Sequence, residues 1–284
     1  MTFTTRFAPS PTGPLHLGHA YSALLVHDMA RAAGGIFHLR IDDLDRSRSR
    51  PEWEAQIYED LIWLGLDWPS PVWHQSRRLP RYRDALETLW KQGLLYPCSC
   101  SRADIRAAAA APQEGAPLLG PDGIVYPGTC RPATPPSGPL PETPLRLDMA
   151  RALARLDAPP AFTETGRGPE GETGPIRPGN MIETVGDVAL ARPGTGAAYH
   201  LAIVCDDADQ GITHVIRGQD LFAATQIHVL LQRLLGLPTP VYHHHRLIRD
   251  AEGRRLAKRD DARAIATHRA AGRSPADIRR MVGL

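Results

Sequence analysis

The chain has 284 residues, 42% of them hydrophobic and 23% charged, with a formal net charge of +2. That length holds one large domain, or a domain carrying a sizeable insertion. The near-neutral balance excludes an overall electrostatic grip on nucleic acid, and the longest apolar run, Leu61-Ile-Trp-Leu-Gly-Leu66, falls far short of the roughly 20 residues that span a bilayer. The N-terminus, Met1-Thr-Phe-Thr-Thr-Arg6, has no apolar stretch like that of a signal peptide, so a cytoplasmic protein without a membrane partner is expected. Positive charge collects at the far end, in Arg249, Arg254, Arg255, Lys258, Arg259, Arg263, Arg269, Arg273 and Arg279. Such a run either meets phosphate or forms a solvated helix face.

Residues 2–8 alternate and predict a strand, followed by the turn Pro9-Ser-Pro-Thr-Gly-Pro14 and a helix over 18–33 that stops at Gly34-Gly35. Ile36–Ile41 alternates again. This β-loop-α-β unit builds a parallel sheet, and ligands of such sheets sit at the carboxyl ends of strands, where the 9–17 loop falls. Residues 51–68 and 80–95 read as amphipathic helices, with Trp53, Ile57, Leu61 and Leu64 on one core-facing stripe. The Ala/Pro/Gly-rich stretch 107–142 separates two patterned regions, and the Pro/Gly/Glu-rich stretch 158–179 reads as a mobile surface loop. His200–Cys205 and Thr213–Arg217 read as strands around a turn at 206–211, with Cys205 a packing residue; 222–235 reads as a helix, and 241–248 as strand-like. Within that last segment His243-His-His245 invites a metal reading, but neighbours on a strand point to opposite faces, so a plain strand wall is favoured.

Two segments carry chemistry. In Pro9-Ser-Pro-Thr-Gly-Pro-Leu-His16-Leu-Gly18-His19 a strand hands over to a helix, with two imidazoles around a Leu-Gly pair. The glycine admits close approach of a nucleotide, the helix N-terminus favours phosphate, and the histidines can donate to a phosphoryl group as charge grows on it. The second is Gly253-Arg-Arg255-Leu-Ala257-Lys258-Arg259, a lysine-bearing loop able to cover a triphosphate. Neither the P-loop spacing nor Gly-x-Gly-x-x-Gly is present. Cys98, Cys100 and Cys130 cluster around a Pro/Gly-rich segment, which in a reducing compartment favours metal over a disulfide, although three thiolates alone do not complete a tetrahedral zinc site.

With these motifs the chain resembles the glutamyl-tRNA synthetase family of class I synthetases. Arg6-Phe-Ala-Pro-Ser-Pro-Thr-Gly13 with His16-Leu-Gly-His19 is similar to the family's HIGH signature, and Arg255-Leu-Ala-Lys258 to its KMSKS loop. Arg40-Ile-Asp-Asp43, Gly186-Asp-Val188, Tyr199-His-Leu-Ala202, Asp206-Asp207 and Val215-Ile-Arg217-Gly218 resemble further blocks in the right order. The resemblance implies a Rossmann-type parallel α/β catalytic domain in two halves, 1–95 and 181–250. A zinc-bearing acceptor-side subdomain would be inserted at 96–180, and the loop with a short helical extension would fill 251–284. It implies that Arg6, Ala8, Ser10, Asp42, Tyr199 and Arg217 bind glutamate, with the two arginines on its carboxylates and Asp42 on its ammonium. His16, Gly18, His19, Arg255 and Lys258 would bind ATP with Mg²⁺, and His16, His19 and Lys258 would be catalytic. For Asp42 and Arg217 the competing structural reading is a buried ion pair.

Departures from the family pattern narrow this. Ile203 stands where discriminating members carry an Asn, Ala257 replaces the usual Ser of the loop, and only 26 residues follow Lys258, too few for an anticodon-binding domain. A branch of the family with this outline attaches glutamate to the queuosine base of tRNA(Asp); with no anticodon-binding domain to couple the two steps, the adenylate is expected to form without tRNA. Its pattern implies Tyr126 as fourth ligand beside Cys98, Cys100 and Cys130, with one structural zinc per chain; His74 is the alternative donor. Expected partners are then ATP, L-glutamate and queuosine-bearing tRNA(Asp), with the enzyme a monomer. A truncated synthetase charging the 3′ end of tRNA(Glu), and a non-catalytic zinc and RNA-binding module, are the alternatives.

Overall fold

Strand β1 (Thr4–Phe7) is buried along its whole length, and α1 (Leu17–Ala32) and β2 (Ile36–Ile41) complete the first unit. The computed structural model describes residues 2–110, 118–249 and 264–284 of the chain. β1 and β2 pair in parallel from Thr4↔Ile36 to Phe7↔Leu39, and α1 covers them with Ala20, Ala23, Leu24, Val26 and Ala30. α2 (Pro51–Trp63) starts on a proline, which suits a first turn whose N–H groups lack helical partners. Its Ile57 and Leu61 are fully buried, each worth about 1.5–3 kcal/mol over exposure, whereas Trp53 at the stripe's end is half-buried. The short β3 (Trp73–His74) extends the parallel sheet from β2, and α3 (Leu79–Lys91) turns Tyr82, Ala85, Leu86, Leu89 and Trp90 into a second core.

The chain then leaves the sheet through β4 (Leu95–Pro97), α4 (Arg102–Ala110) and a small hairpin of β5 (Leu119–Gly120) and β6 (Gly123–Ile124). β7 (Leu145–Leu147) and α5 (Met149–Ala154) follow, the helix capped by Asp148 accepting from the Arg151 N–H. After β8 (Phe162–Glu164) and β9 (Gly174–Ile176) come α6 (Met181–Thr184) and β10 (Ala189–Ala191), which joins β7 and β4 in an antiparallel sheet.

The second catalytic half runs through α7 (Tyr199–Asp209), β11 (His214–Gly218), α8 (Thr225–Leu235) and β12 (Val241–His245). β11 pairs in parallel with β12 and lies beside β1, to which the Thr213 N–H donates at Thr4 O (2.9 Å). The carboxyl ends of β1 and β11, bearing Arg6 and Arg217, therefore adjoin. Two helices end the chain, α9 (Ile265–Ala270) and α10 (Pro275–Val282). Ile265 and Ile278 enter the α1 core, and Arg279 grips Asp28 through two bonds of 2.6 and 2.9 Å. Arg269 likewise meets Glu59, so these two members of the basic run are spent within the protein. No helix among the described residues is long and apolar enough to cross a membrane.

Two segments differ from the sequence expectation. Residues 200–205 are helix, not strand: every residue from His200 to Asp207 is buried, so polar–apolar contrast cannot reveal a period in so short an apolar run. Residues 158–179 are not simply a surface loop, because β8 adds in parallel to β12 through Tyr242↔Glu164, with β9 antiparallel outside it. Long-range pairing overrides the local Pro/Gly composition there. Gly166 permits it, since a Cβ at that position would lie 2.3 Å from His244 O.

Candidate active site

A cleft of about 1470 Å³ opens at the carboxyl ends of the strands. Ala8, Ser10, His19, Asp42 and Tyr199 line one side, and Cys98, Cys100 and Tyr126 the other. Among the residues singled out from sequence, Arg6 and Arg217 lie behind this wall, 4% and 6% exposed. Arg255 and Lys258 fall outside the described residues. The chain re-enters the description at Ala264, which bridges to His16, while the Ile265 N–H donates to Leu15 O.

His16 caps α1: its Nδ1 accepts from the Gly18 N–H at 3.1 Å, and His19 Nδ1 accepts from the His16 N–H at 3.2 Å. In neutral rings both protons therefore sit on Nε2. The rings stack with centroids 3.8 Å apart. Gly18 makes room for this arrangement, because a Cβ there would meet the His16 ring at 3.0 Å. The glycine thus serves the imidazole directly, a closer constraint than nucleotide approach.

Beneath the cleft lies a compact charge cluster. Arg6 donates bidentately to Asp207 (2.8 and 3.1 Å), and Arg40 donates to Asp207 (2.7 Å) and Asp42 (2.8 Å). Asp206 receives Gln75, Arg78 and the Tyr82 hydroxyl. Burial would raise the Asp207 carboxyl, but Arg6 and Arg40 hold it below the usual range. Asp42 goes the other way: burial outweighs its share of Arg40 and pushes it up to about 6. A raised carboxyl favours the folded state when protonated, so Asp42 contributes stability below its ordinary pKa that is lost as pH rises through about 6. For Asp42 the ion-pair reading is correct as geometry, with its carboxylate still facing the cleft.

Arg217 is different. Its Nε donates to His244 Nε2 (3.1 Å), Nη1 to His228 Nδ1 (3.1 Å), and Nη2 to Leu221 O and Thr225 Oγ1 (3.2 and 2.8 Å). No carboxylate among the described residues pairs with it, so the buried ion-pair reading does not hold. Tyr199 packs its ring edge on His228, and Ile203, one turn further along α7, is buried in the apolar core.

Across the cleft the three thiols converge, all sulfurs within 4.8 Å of one another. Tyr126 Oη lies 3.4 Å from both Cys98 and Cys100 and accepts the Cys130 N–H at 2.8 Å. A zinc with bonds of about 2.3 Å to sulfur sets its ligand atoms about 3.5–3.8 Å apart, which matches this spacing. Three thiols and a phenol oxygen fit the ion. His74 does not belong: it stands in β3, 2.7 Å from Glu54. His243, His244 and His245 turn to Thr165, Glu164 and Ser22 respectively, which removes the metal reading of that triplet.

Sequence reading assigned no role to Glu164, His200 or His228, all buried near Arg217; a lone buried histidine carries no local signal.

A parallel α/β sheet with His-x-x-His at its first strand-to-helix turn is the catalytic fold of class I tRNA synthetases. The family model for the class I (E and Q) tRNA synthetase catalytic domain matches residues 2–117 and 179–284, and the chain belongs to that family. A glutamyl-Q tRNA(Asp) synthetase of Rhodobacter capsulatus is 64% identical over 99% of both chains. Another, of Symbiobacterium thermophilum, is 44% identical over 96% of this chain and 83% of its own. Within the family, then, the chain groups with the glutamyl-Q tRNA(Asp) synthetases. Among solved structures, a glutamate tRNA ligase from Elizabethkingia meningosepticum, in complex with its amino acid, superposes with a TM-score of 0.70 at 31% identity. The match covers 92% of this chain and 52% of that one, so the chain spans about half the length of that ligase.

Proposed function

We propose that the chain activates L-glutamate with ATP, as its Mg²⁺ complex, and transfers the glutamyl group to the queuosine base in the anticodon of tRNA(Asp), in the cytoplasm. The observation that carries the amino-acid half is Arg217, a buried cation whose hydrogen-bond partners among the described residues carry no carboxylate, beside Tyr199 and the cleft. The acceptor half rests on the named relatives. Arg217 takes a glutamate carboxylate; Arg6, bound to Asp207 through Nε and Nη2, turns Nη1 to the other. Asp42 takes the ammonium and the Tyr199 hydroxyl hydrogen-bonds the substrate, with Ala8 and Ser10 forming the floor. His16, Gly18 and His19 meet the ATP phosphates, with Arg255 and Lys258 as further phosphate-binding residues.

In the first step a glutamate carboxylate oxygen attacks the α-phosphorus; a new P–O bond forms, the α–β bridging P–O bond breaks and pyrophosphate leaves. In the second an acceptor hydroxyl attacks the adenylate carbonyl, loses its proton, and expels AMP. Donors fixed on Nε2 of His16 and His19 stabilise charge on the phosphoryl oxygens as it develops.

The domain division 1–95, 96–180, 181–250 and 251–284 is part of this reading, with 162–176 contributing strands to the second half's sheet. Cys98, Cys100, Tyr126 and Cys130 would hold one structural Zn²⁺, which supplies a cross-link between β4 and the segment after β6. Elemental analysis should find one zinc per chain in the wild type and less than half of that in Cys100→Ser.

Three measurements test the rest. Labelled glutamate with ATP should label tRNA(Asp) carrying queuosine and not the same tRNA without it; label on queuosine-free tRNA would overturn the acceptor. Glutamate-dependent pyrophosphate exchange should run without any tRNA, and strict tRNA dependence would refute that order of events. Because the Asp42 carboxyl sits at about 6, its charge for the ammonium is present above that pH and lost below it. The KM for glutamate in exchange should therefore rise between pH 7 and pH 5, and Asp42→Asn should start high and stay flat.

A further inference from the structure

Arg217 lies at the centre of a line of buried side chains that the two reaction steps leave without a role. A guanidinium donates and never accepts, so the ring nitrogens it touches, His244 Nε2 and His228 Nδ1, must both carry lone pairs. The His244 proton is then on Nδ1, 2.5 Å from Glu164 Oε2. The His228 proton is on Nε2, 3.0 Å from His200 Nδ1, which accepts it. That places the His200 proton on Nε2, facing Asp122 Oδ1 at 3.5 Å. Asp122 also receives Arg192 at 3.3 Å and lines the cleft. One cation thus fixes the tautomers of three rings, and the line ends in a carboxylate on each side.

Contrast with Arg6 shows what this achieves. Arg6 has its counter-charge in direct contact, and Asp207 fills two of its donors. Along this line Arg217 meets carboxylates only one and two rings away, behind acceptors that are themselves 1–2% exposed. An imidazolium at either contact would set a second cation about 3 Å from the first, and the reversed tautomer would oppose N–H to N–H. Tyr199, whose ring edge rests on both His200 and His228 at centroid distances of 5.4 and 5.7 Å, covers the line on the cleft side.

We propose that His228 and His244 are positioning residues for Arg217, neutral acceptors in opposite tautomers that clamp its guanidinium from two sides while its counter-charges, Asp122 and Glu164, are kept out of contact. The cation's field is thereby left for an anionic ligand of carboxylate type. This rests on the reading of Arg217 as the carboxylate-binding group proposed above.

Long-range ¹H–¹⁵N correlation of imidazole nitrogens in the uniformly labelled full chain at pH 7, assigned with His228→Asn and His244→Asn, reads the tautomers directly. His244 should appear protonated at Nδ1 and His228 at Nε2. Either ring in the other tautomer, or as imidazolium, overturns the proposal, and this arm needs no variant to be active. In glutamate-dependent pyrophosphate exchange His228→Leu should raise the KM for glutamate about tenfold with kcat within about threefold, the size of one lost charge-assisted bond. His228→Asn, whose Oδ1 can stand in for Nδ1, should recover most of the loss; an unchanged KM in His228→Leu also overturns it. Failure of the underlying reading looks different: Arg217→Gln would then leave the glutamate KM unaltered while the tautomers stand as stated.

Discussion

Arg217→Gln should lower kcat/KM for glutamate in pyrophosphate exchange by about a thousandfold, roughly 4 kcal/mol, while the KM for ATP stays within about twofold. The size follows from the setting. A carboxylate reaching Arg217 meets a cation that is 6% exposed and has no carboxylate partner among the described residues, so the pair forms with little screening. Gln keeps a comparable volume and removes the charge. Arg217→Lys should be nearly as poor, because a single ammonium cannot reach His244, His228, Thr225 and Leu221 together and still face the ligand. Loss of ATP affinity in parallel with glutamate affinity would refute the assignment.

The second large effect is on stability. Asp207→Ala should destabilise the protein by about 3–5 kcal/mol, read as a shift in the urea midpoint with an unchanged slope. Asp207 accepts from Arg6 twice and from Arg40 once, and both guanidinium groups are at most 4% exposed. Its removal leaves Arg6 without that carboxylate and Arg40 with only Asp42 at hydrogen-bond distance and Asp206 at 3.8 Å among the described residues. The pH sign is opposite to that of Asp42. The Asp207 pKa is depressed, so its contribution is present above the ordinary carboxylate range and is lost as pH falls through the folded value. Acid titration of wild type and variant should converge at low pH; a constant difference down to pH 2 would contradict this.

How much of this was legible from residues alone depends on where each signal is stored. The first β-loop-α-β unit was readable because its punctuation is local: prolines and a glycine at 9–14, a helical run, and the Gly34-Gly35 stop. The thiols were readable because cysteine is rare in this chain, whereas Tyr126 needed the family pattern, since a tyrosine next to Pro127 and Gly128 looks like any turn residue. α7 was misread because its run from His200 to Asp207 is buried throughout, so exposure imposes no polar–apolar period on it. β8 and β9 were hidden by composition, as their partner in the sheet lies nearly 80 residues away at Tyr242. The surroundings of Arg217 were the least accessible: Glu164, His200, His228 and His244 come from four separate elements, and only the fold brings them within bonding distance.

The place of β8 in the sheet bears on how such enzymes diverge. The shared family scaffold accounts for residues 2–117 and 179–284, which include Arg6, Asp42, Tyr199 and Arg217. Glu164 on β8 and Asp122 beside β6 both come from the stretch that the scaffold does not cover. The residues proposed to touch the amino acid and the two carboxylates of the Arg217 line therefore lie in different parts of the chain, inside and outside the family match. Two relatives identical at every position touching the amino acid could still differ in affinity for it, through changes confined to 118–178. Exchange of that segment between relatives offers a route to retuning the site without altering any residue proposed to touch the amino acid.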